Sequence, residues 1–298
     1  MRVLHNTESL FFRRKDCISL ISGVDKVQIL DRSISTSLED LRNNEFRRVL
    51  FCNSSGRIDD FAIICSIEDQ ILMISSKDFC SKTRNKLLDG VAWDEEFEIR
   101  DAIAAISRFT VLLTKPVIST VFGIDEIQDN IMKEFGDMLI FGNSIGGLFM
   151  LDILCKKDSI NTLLEILESS EIKELDEHNW NLTRVKLGVI DMVDARGNLP
   201  WEVGLDGLIT RGKGCYPGQE IHARMDSRQG KKNKTLVSLI GRKNIDVGKL
   251  KIDGFGTINI TSSFSENEIC YSLGICKDLP QENIELSYDG YSLNIHQL

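Results

Sequence analysis

The stretch Lys213-Gly214-Cys215-Tyr216-Pro217-Gly218-Gln219-Glu220-Ile221-His222-Ala223-Arg224 decides how the rest of the chain is interpreted. It holds a thiol, an amide, a carboxylate, an imidazole and two cations, and no apolar periodicity runs through it. Pro217 followed by Gly218 predicts a turn, because proline fixes one φ angle and glycine accepts positive φ at the next position. Polar groups concentrated on a turn indicate a functional loop, and an exposed polar hairpin loop is the alternative.

The composition is that of a globular protein with two or three domains. The chain has 298 residues, of which 42% are hydrophobic and 27% are charged, and its net charge is −9. This acidic balance argues against nonspecific binding to nucleic acid. We recognise no secretory signal and no apolar run long enough to span a bilayer, so we expect a cytoplasmic protein without a membrane partner.

The eight cysteines show no spacing that is typical of a metal site. No two of them form C-x-x-C, so the sequence predicts no zinc site and no cluster held by this chain alone. Most lie in apolar company and are interpreted as small core residues in a reducing compartment. Cys215 differs, because it lies on a glycine-rich turn close to Lys213 and Arg211, and neighbouring cations favour the reactive thiolate.

The pattern along the chain predicts an α+β fold. Residues 46–76 predict three strands with a hairpin connection at 53–57, and residues 77–88 predict a helix. Apolar residues at helical spacing predict a further helix over 116–135. From 231 onwards, short β-like runs between polar turns predict a small barrel or sandwich.

Three further features carry charge. Asp59 and Asp60 are adjacent on the predicted hairpin, where exposed turn carboxylates are an equally good interpretation. His222 is interpreted as a solvated side chain rather than a catalytic one. The segment 211–234 is locally basic, which suits an anionic ligand, although a solvated linker explains its lysines Lys231, Lys232 and Lys234 better.

The motif Lys-Gly-Cys-Tyr-x-Gly-Gln-Glu followed by Ala-Arg resembles the signature of the YgfZ/GcvT-like folate-binding family. The match covers residues 213–216, 218–220 and 223–224. That family is related to the aminomethyltransferase (T-protein) of the glycine cleavage system. The same frame is matched elsewhere by Gly23, Asp25, Thr36, Leu41, Arg184, Gly188, Pro200, Glu202 and Leu205.

The resemblance implies a GcvT/YgfZ-like ring of three domains with a small C-terminal β-barrel and folate in the central hole. We therefore predict that residues 1–45 begin a first α/β domain and that residues 46–105 begin a second α+β domain. Residues 106–230 would complete these interleaved folate-binding domains, and residues 231–298 would form the barrel.

The resemblance also implies the site. Cys215 matches the cysteine on which the family's function depends, and Asp59 or Asp60 fits a T-protein segment whose aspartate serves methylene transfer. Asp194 is the counterpart of the pterin-binding carboxylate, in an insert shorter than that of the T-protein. The residues expected to bind tetrahydrofolate or a related reduced pterin are Arg184, Asp194, Lys213, Tyr216, Gln219, Glu220 and Arg224.

Three functions are compatible with these residues. The first is a folate-binding accessory protein, acting through Cys215 in iron–sulfur cluster assembly or repair, with iron–sulfur client or assembly proteins as partners. The second is a tetrahydrofolate-dependent aminomethyltransferase or methyltransferase that uses Asp59 or Asp60. The third is a binding or scaffold protein without turnover, so the sequence leaves open whether this is an enzyme. We expect a monomer.

Overall fold

The computed structural model describes residues 9–227, 233–277 and 283–298. The chain divides into two compact units, and it passes between them more than once. The first unit comprises Met1–Val49 and Phe61–Glu177, and the second comprises Leu50–Asp60 and His178–Leu298. Part of the basic segment 211–234 lies outside the described residues, namely Arg228, Lys231 and Lys232. The predicted domain boundary near 231 also lies outside them.

In its described residues, the first unit contains two mainly antiparallel sheets and four α-helices. One sheet has the order β3-β4-β5-β2-β6, in which β3 and β4 form a hairpin whose far end belongs to the second unit. Its strands are β2 (Cys17–Ser22), β3 (Phe46–Cys52), β4 (Ile58–Ile67), β5 (Gln70–Ser75) and β6 (Glu98–Asp101). The three strands predicted over 46–76 are therefore confirmed. They could be predicted because the local apolar runs and the turn residues at 53–57 specify a hairpin.

The other sheet of the first unit has the order β11-β1-β7-β10-β9-β8. Only the pairing of β1 with β11 is parallel. Its strands are β1 (Leu10–Arg13), β7 (Ile106–Leu113), β8 (Lys133–Phe135), β9 (Met138–Ile145), β10 (Leu148–Lys156) and β11 (Lys173–Glu174). The helices of this unit are α1 (Lys26–Asp31), α2 (Cys80–Asp89), α3 (Lys115–Phe122) and α4 (Ile160–Ser169), with a short 3-10 turn at Lys157–Ser159.

The helix predicted over 116–135 is wrong beyond its first two turns. The helix α3 ends at Phe122, and Gly123 follows in the left-handed conformation with φ 64°. A left-handed glycine is a common way to end a helix, and the apolar spacing beyond it belongs to residues that lead into β8. Ile118 and Phe122 are buried in the core of the unit, so the first part of the pattern was informative.

Cys17 and Cys80 are joined by a disulfide between β2 and the start of α2, with their Cα atoms 5.9 Å apart. Both residues are buried. Both are core residues, as predicted, but their disulfide departs from the expectation of reduced cysteines in a reducing compartment. The sequence spacing of 63 residues gave no indication that they are partners. Their pairing depends on how strand and helix pack.

The second unit contains α5 (Glu177–Lys186, whose first residue belongs to the other unit), α6 (Met192–Ala195) and α7 (Gln219–Ser227). Its 3-10 helices span Pro200–Val203 and Asp206–Leu208. A six-stranded antiparallel sheet has the order β13-β14-β15-β12-β17-β16. Its strands are β12 (Lys234–Gly241), β13 (Gly248–Ile252), β14 (Gly256–Glu266), β15 (Ile269–Lys277), β16 (Asn283–Tyr288) and β17 (Tyr291–Gln297).

These elements confirm a mixed α+β fold, and the C-terminal β-rich region is present as the sequence predicted. The closed barrel, the three-domain ring and the predicted domain boundaries stay predictions. Within the described residues, no helix combines the length and the apolar character that a membrane crossing requires.

Candidate functional site

The hairpin end at residues 53–57, in the second unit, is a tight, well-bonded turn. The Asn53 amide donates to the Arg57 carbonyl at 3.0 Å. The Asn53 side-chain oxygen accepts from the amides of Ser55 at 3.0 Å and Arg57 at 3.2 Å. Gly56 takes φ 70°, which is costly for any residue with a Cβ. This turn is a rigid platform for the segments that pack on it.

Residues 197–202 form one side of this platform. The Ile58 amide donates to the Asn198 carbonyl at 3.0 Å, and the Gly197 amide donates back to the Ile58 carbonyl at 2.9 Å. Glu202 is buried, accepts from the Leu199 amide at 2.9 Å and lies 3.6 Å from the Arg57 guanidinium. The segment from Pro200 to Glu202, which the family resemblance included, therefore packs against the hairpin.

Gly218 brings the Cys215 turn onto the other side of the platform. Its φ is 87°, and a Cβ placed there would lie 2.6 Å from the Gly56 Cα and 2.7 Å from the Asn53 carbonyl oxygen. Real Cβ atoms do not approach backbone atoms so closely. Only glycine fits, because two backbones are in direct contact. The Pro-Gly turn was predicted from the sequence, but its partner was not.

His222 is buried, so the prediction of a solvated histidine is wrong. It lies on α7, which begins at Gln219 inside the stretch that the sequence indicated as irregular. Its Nε2 lies 2.8 Å from the Gly56 carbonyl oxygen, and its Nδ1 lies 3.0 Å from the Tyr216 hydroxyl. A carbonyl only accepts, so Nε2 carries the proton and donates, while Nδ1 accepts from the Tyr216 hydroxyl.

The surroundings of His222 favour its neutral form. Burial lowers the pKa of the imidazole, against a smaller opposing effect of the hydrogen bond to Gly56. Trp201 packs edge-on against the imidazole with ring centroids 5.3 Å apart. Burial also raises the pKa of the Tyr216 hydroxyl to about 12, which keeps it a proton donor at neutral pH. The histidine is thus a fixed link between the hairpin and the turn.

Lys213 and Tyr216, on either side of Cys215, are both buried. The Lys213 ammonium lies 5.5 Å from the centroid of the Tyr216 ring, within the range of a cation–π contact. The Gln219 side chain donates to the Lys213 carbonyl at 2.9 Å. Three of the residues predicted to bind folate therefore hold the turn in place through contacts inside the protein.

Cys215 itself is exposed, as the functional interpretation of the motif required. The other cysteines outside the disulfide are buried, namely Cys52, Cys65, Cys155, Cys270 and Cys276. Burial raises the pKa of the Cys65 and Cys155 thiols, which disfavours the reactive thiolate at those positions. Cys215 is the thiol that the fold presents to solvent among the described residues.

Arg184 and Asp194 are brought together, but as partners of each other. The two side chains are 3% and 0% exposed, and an Arg184 nitrogen lies 2.7 Å from an Asp194 oxygen. Arg184 also donates to the Ser262 hydroxyl at 2.9 Å, and Asp194 accepts from the hydroxyls of Thr261 and Ser262 at 2.5 and 2.7 Å. Buried charges need such partners. The geometry shows that both charges have partners within the protein, and their role in binding a ligand stays a prediction.

Glu220 and Arg224 lie on the exposed surface of α7. They form an ion pair one helical turn apart, with 77% and 62% of their side chains exposed. Exposed pairs of this kind contribute little to stability. Both side chains are therefore accessible to a ligand, and their role in binding one stays a prediction.

The two adjacent aspartates are in different surroundings. Asp60 is 1% exposed, which contradicts an exposed turn carboxylate at that position. Asp59 is half-buried, and its Oδ1 lies 3.4 Å from the Asn53 side-chain nitrogen. Alternation along β4 explains the difference, because successive side chains of a strand point to opposite faces. No group of three or more acidic, histidine or cysteine side chains in the described residues is arranged to hold a metal ion.

Comparison with known proteins identifies the fold. No family model matches the chain, and no curated protein matches it. The crystal structure of glycine cleavage system aminomethyltransferase T from Bartonella henselae matches 98% of this chain and 86% of its own, with TM-score 0.79 and 16% identity. A heterotetrameric sarcosine oxidase from Corynebacterium sp. U-96, in complex with pyrrole 2-carboxylate, matches 58% of this chain and 91% of its own, with TM-score 0.35 and 12% identity.

The first of these similarities shows that the chain has the fold of aminomethyltransferase T. At 16% identity it establishes the fold alone, and the second similarity is too weak to carry an argument. The predicted GcvT-like fold is therefore confirmed, whereas the closer resemblance to YgfZ-type proteins stays a prediction.

Proposed function

We propose that this protein binds a reduced folate and uses the Cys215 thiol in the assembly or repair of iron–sulfur enzymes. The observation that carries the proposal is the exposure of Cys215 between the buried side chains of Lys213 and Tyr216. A thiolate is the form of cysteine that binds iron or accepts sulfur, and it must be reachable by the partner protein that delivers or receives them. A turn fixed from both sides presents such a thiol with little loss of entropy on contact.

Only some of the residues predicted to bind a reduced folate are accessible to it. Arg184 and Asp194 are committed to each other, and they would shape the unit rather than touch the ligand. Glu220 and Arg224 remain accessible. A carboxylate suits the donor N–H groups of a pterin, and a guanidinium suits the carboxylates of the folate glutamate. When bound, the folate would supply a reduced pterin, while the protein supplies these polar contacts and the thiol.

The folate part of the proposal is tested by calorimetric titration with 5-formyltetrahydrofolate, a stable reduced folate. We expect Arg224→Ala to weaken binding by about tenfold, the equivalent of one charge-assisted hydrogen bond. Arg242→Ala, which removes an exposed arginine beyond β12, is the matched control and should bind as the wild type does. The Cys215→Ser variant should retain wild-type affinity. Absence of any binding by the wild-type protein would refute the folate assignment.

The thiol part is tested in the host from which the gene has been removed. Activity of a [4Fe–4S] dehydratase under oxidative stress should be restored by the wild type and not by Cys215→Ser. Gly214→Ala is the control on the same turn, because a Cβ at that position meets no atom within 4 Å. It should restore activity fully. Full restoration by Cys215→Ser would reject the proposed role of the thiol.

Access to the thiol has a direct measurement. In the folded protein, iodoacetamide should modify Cys215 at least about a hundredfold faster than the buried cysteines, since those react only when the structure opens. Mass spectrometry of a time course gives each rate. A Cys215 rate in the folded protein that is as low as the rates of the buried cysteines, and that rises only on addition of denaturant, would show that the turn does not present Cys215 as described.

An aminomethyltransferase activity is the second candidate, and two observations favour it. The fold is that of aminomethyltransferase T, and Asp60 is a buried carboxylate on the hairpin that the Cys215 turn contacts. Its test is methylene transfer to tetrahydrofolate, or formaldehyde release, with Asp59→Ala, Asp60→Asn and Cys215→Ser. Activity that is lost only in the aspartate variants, while their unfolding curves match the wild type, would replace the first function by the second.

A further inference from the structure

Trp93 is the most exposed large apolar side chain among the described residues, with 97% of its surface accessible. The other two tryptophans of the chain, Trp180 and Trp201, are 4% and 6% exposed. Tryptophan buries a large apolar area when it is covered, so full exposure forgoes a substantial stabilisation.

The turn that carries Trp93 is held by hydrogen bonds within it and to the end of α1. The Glu95 amide donates to the Ala92 carbonyl at 3.1 Å, and the Glu95 carboxylate accepts from the Ala92 amide at 2.8 Å. Arg32 binds that carboxylate and also the Gly90 carbonyl, which ties the turn to the end of α1. A rigid aromatic side chain loses little conformational entropy on binding, and such residues are typical anchors of protein interfaces.

Further apolar side chains are exposed on the segments beside it. Val24 is 77% exposed, and both of its neighbours contact Glu96: the Glu96 carbonyl accepts from the Asp25 amide at 3.3 Å, and Gly23 packs on the same carbonyl. Leu88, 47% exposed, lies in the last turn of α2, immediately before the Trp93 turn. We call Val24, Leu88 and Trp93 the Trp93 surface. Its backbone segments are hydrogen-bonded together.

The charge around the Trp93 surface is negative. The segment from 86 to 98 contains one cation, Lys86, and its acidic residues are Asp89, Asp94, Glu95, Glu96 and Glu98. Glu95 is paired with Arg32 and Glu98 with Arg100, and the other three acidic residues are exposed. A surface of this sign repels nucleic acid and anionic lipid and attracts cationic protein surfaces.

We propose that the Trp93 surface docks a partner protein through a basic segment that carries an apolar pocket for the indole. The exposed anchor, its fixed backbone and the acidic surround are the three features of an interface that this proposal uses. It is independent of the folate and thiol chemistry proposed above, because every residue it uses lies in the first unit.

The test places the photoreactive residue p-benzoylphenylalanine at position 93 of the full chain in its host, with position 291 as the control. Tyr291 is a matched choice, since it is also an exposed aromatic residue but lies in the second unit. The proposal expects an adduct specific to position 93, on a peptide of net positive charge. The partner so identified is then purified and titrated against the wild-type protein, with Trp93 emission as the readout.

In that titration, Trp93→Ala should weaken binding at least about tenfold, as expected for an anchor residue, and competition against the wild type measures it. Because the side chain is exposed, this change leaves folding intact. Asp94→Lys with Glu96→Lys should weaken binding at low salt, and the difference should vanish at about 1 M salt. Four results would each overturn the proposal: no adduct specific to position 93, adducts only with a second copy of this chain, adducts on acidic peptides, or equal binding by Trp93→Ala.

Discussion

Arg184 and Cys215 lie in the same unit, and both were expected to act on a ligand, yet their surroundings differ completely. The Arg184 guanidinium is 3% exposed and its nitrogens contact Asp194, Ser262 and the Val189 carbonyl. The Cys215 thiol is exposed, and the packing around it involves its neighbours instead. The difference teaches that a charged motif residue buried with a partner serves the protein's own packing, whereas an exposed motif residue stays accessible to a ligand.

The largest effect in this comparison should come from Asp194→Ala. It leaves the Arg184 charge buried without its counter-ion, which costs about 3–5 kcal/mol when a buried pair is broken. Glu220→Ala is the matched change on the exposed pair with Arg224 and should cost about 0.5 kcal/mol or less. Urea unfolding in a Trp93→Phe background measures both, because Trp180 and Trp201 then report on the second unit alone. Equal losses in the two variants would erase the distinction between the two regions.

A smaller loss should follow Gly218→Ala. The new Cβ meets backbone atoms of Gly56 and Asn53 at a positive φ, and such strain with overpacking costs about 2–4 kcal/mol. Gly214→Ala, four residues earlier, meets nothing within 4 Å and should change the free energy of unfolding by less than about 0.5 kcal/mol. The same urea measurement applies. A tolerated alanine at 218 would mean that the Cys215 turn does not rest on the hairpin.

The smallest of the three effects is a dependence of stability on pH through His222. Burial lowers its pKa, so the folded protein keeps the imidazole neutral where the unfolded chain binds a proton. The unfolded state binds more protons below about pH 6.5, the usual pKa of histidine, so stability falls as the pH decreases through that value towards the folded pKa. His222→Gln should therefore show a shallower loss of stability below pH 6.5 in the same denaturant titrations. Identical slopes for the two proteins would contradict a neutral, buried imidazole.

Features that depend on neighbours in the chain were predicted from the sequence. The hairpin at 53–57 follows from turn residues between two apolar runs, and the exposure of Cys215 follows from a glycine-rich polar turn. The helix predicted over 116–135 was too long, because apolar residues at helical spacing continue beyond Phe122, where the helix ends. The left-handed Gly123 was the indication that could have corrected it.

Features that depend on distant partners were not predicted. His222 was interpreted as solvated because it is a lone histidine in a polar stretch. Its hydrogen-bond acceptor, the Gly56 carbonyl, is 166 residues away in the chain. Asp194 was assigned to the pterin through the family resemblance, and its partners Ser262 and Thr261 belong to a strand of the C-terminal sheet that is distant in the chain. The same chemistry that makes a carboxylate or an imidazole a good ligand contact also makes it a good partner for the protein's own groups.

By itself, the sequence determined the α+β class, the dense motif at 213–224 and the thiol that this motif presents to solvent. Only the tertiary structure decided which polar groups of the motif face inward, that Gly218 must be a glycine, and that Arg184 and Asp194 form a buried ion pair. The physical reason is burial: a polar group removed from water must find its partner wherever the fold brings one, and that choice is not encoded in its neighbours along the chain.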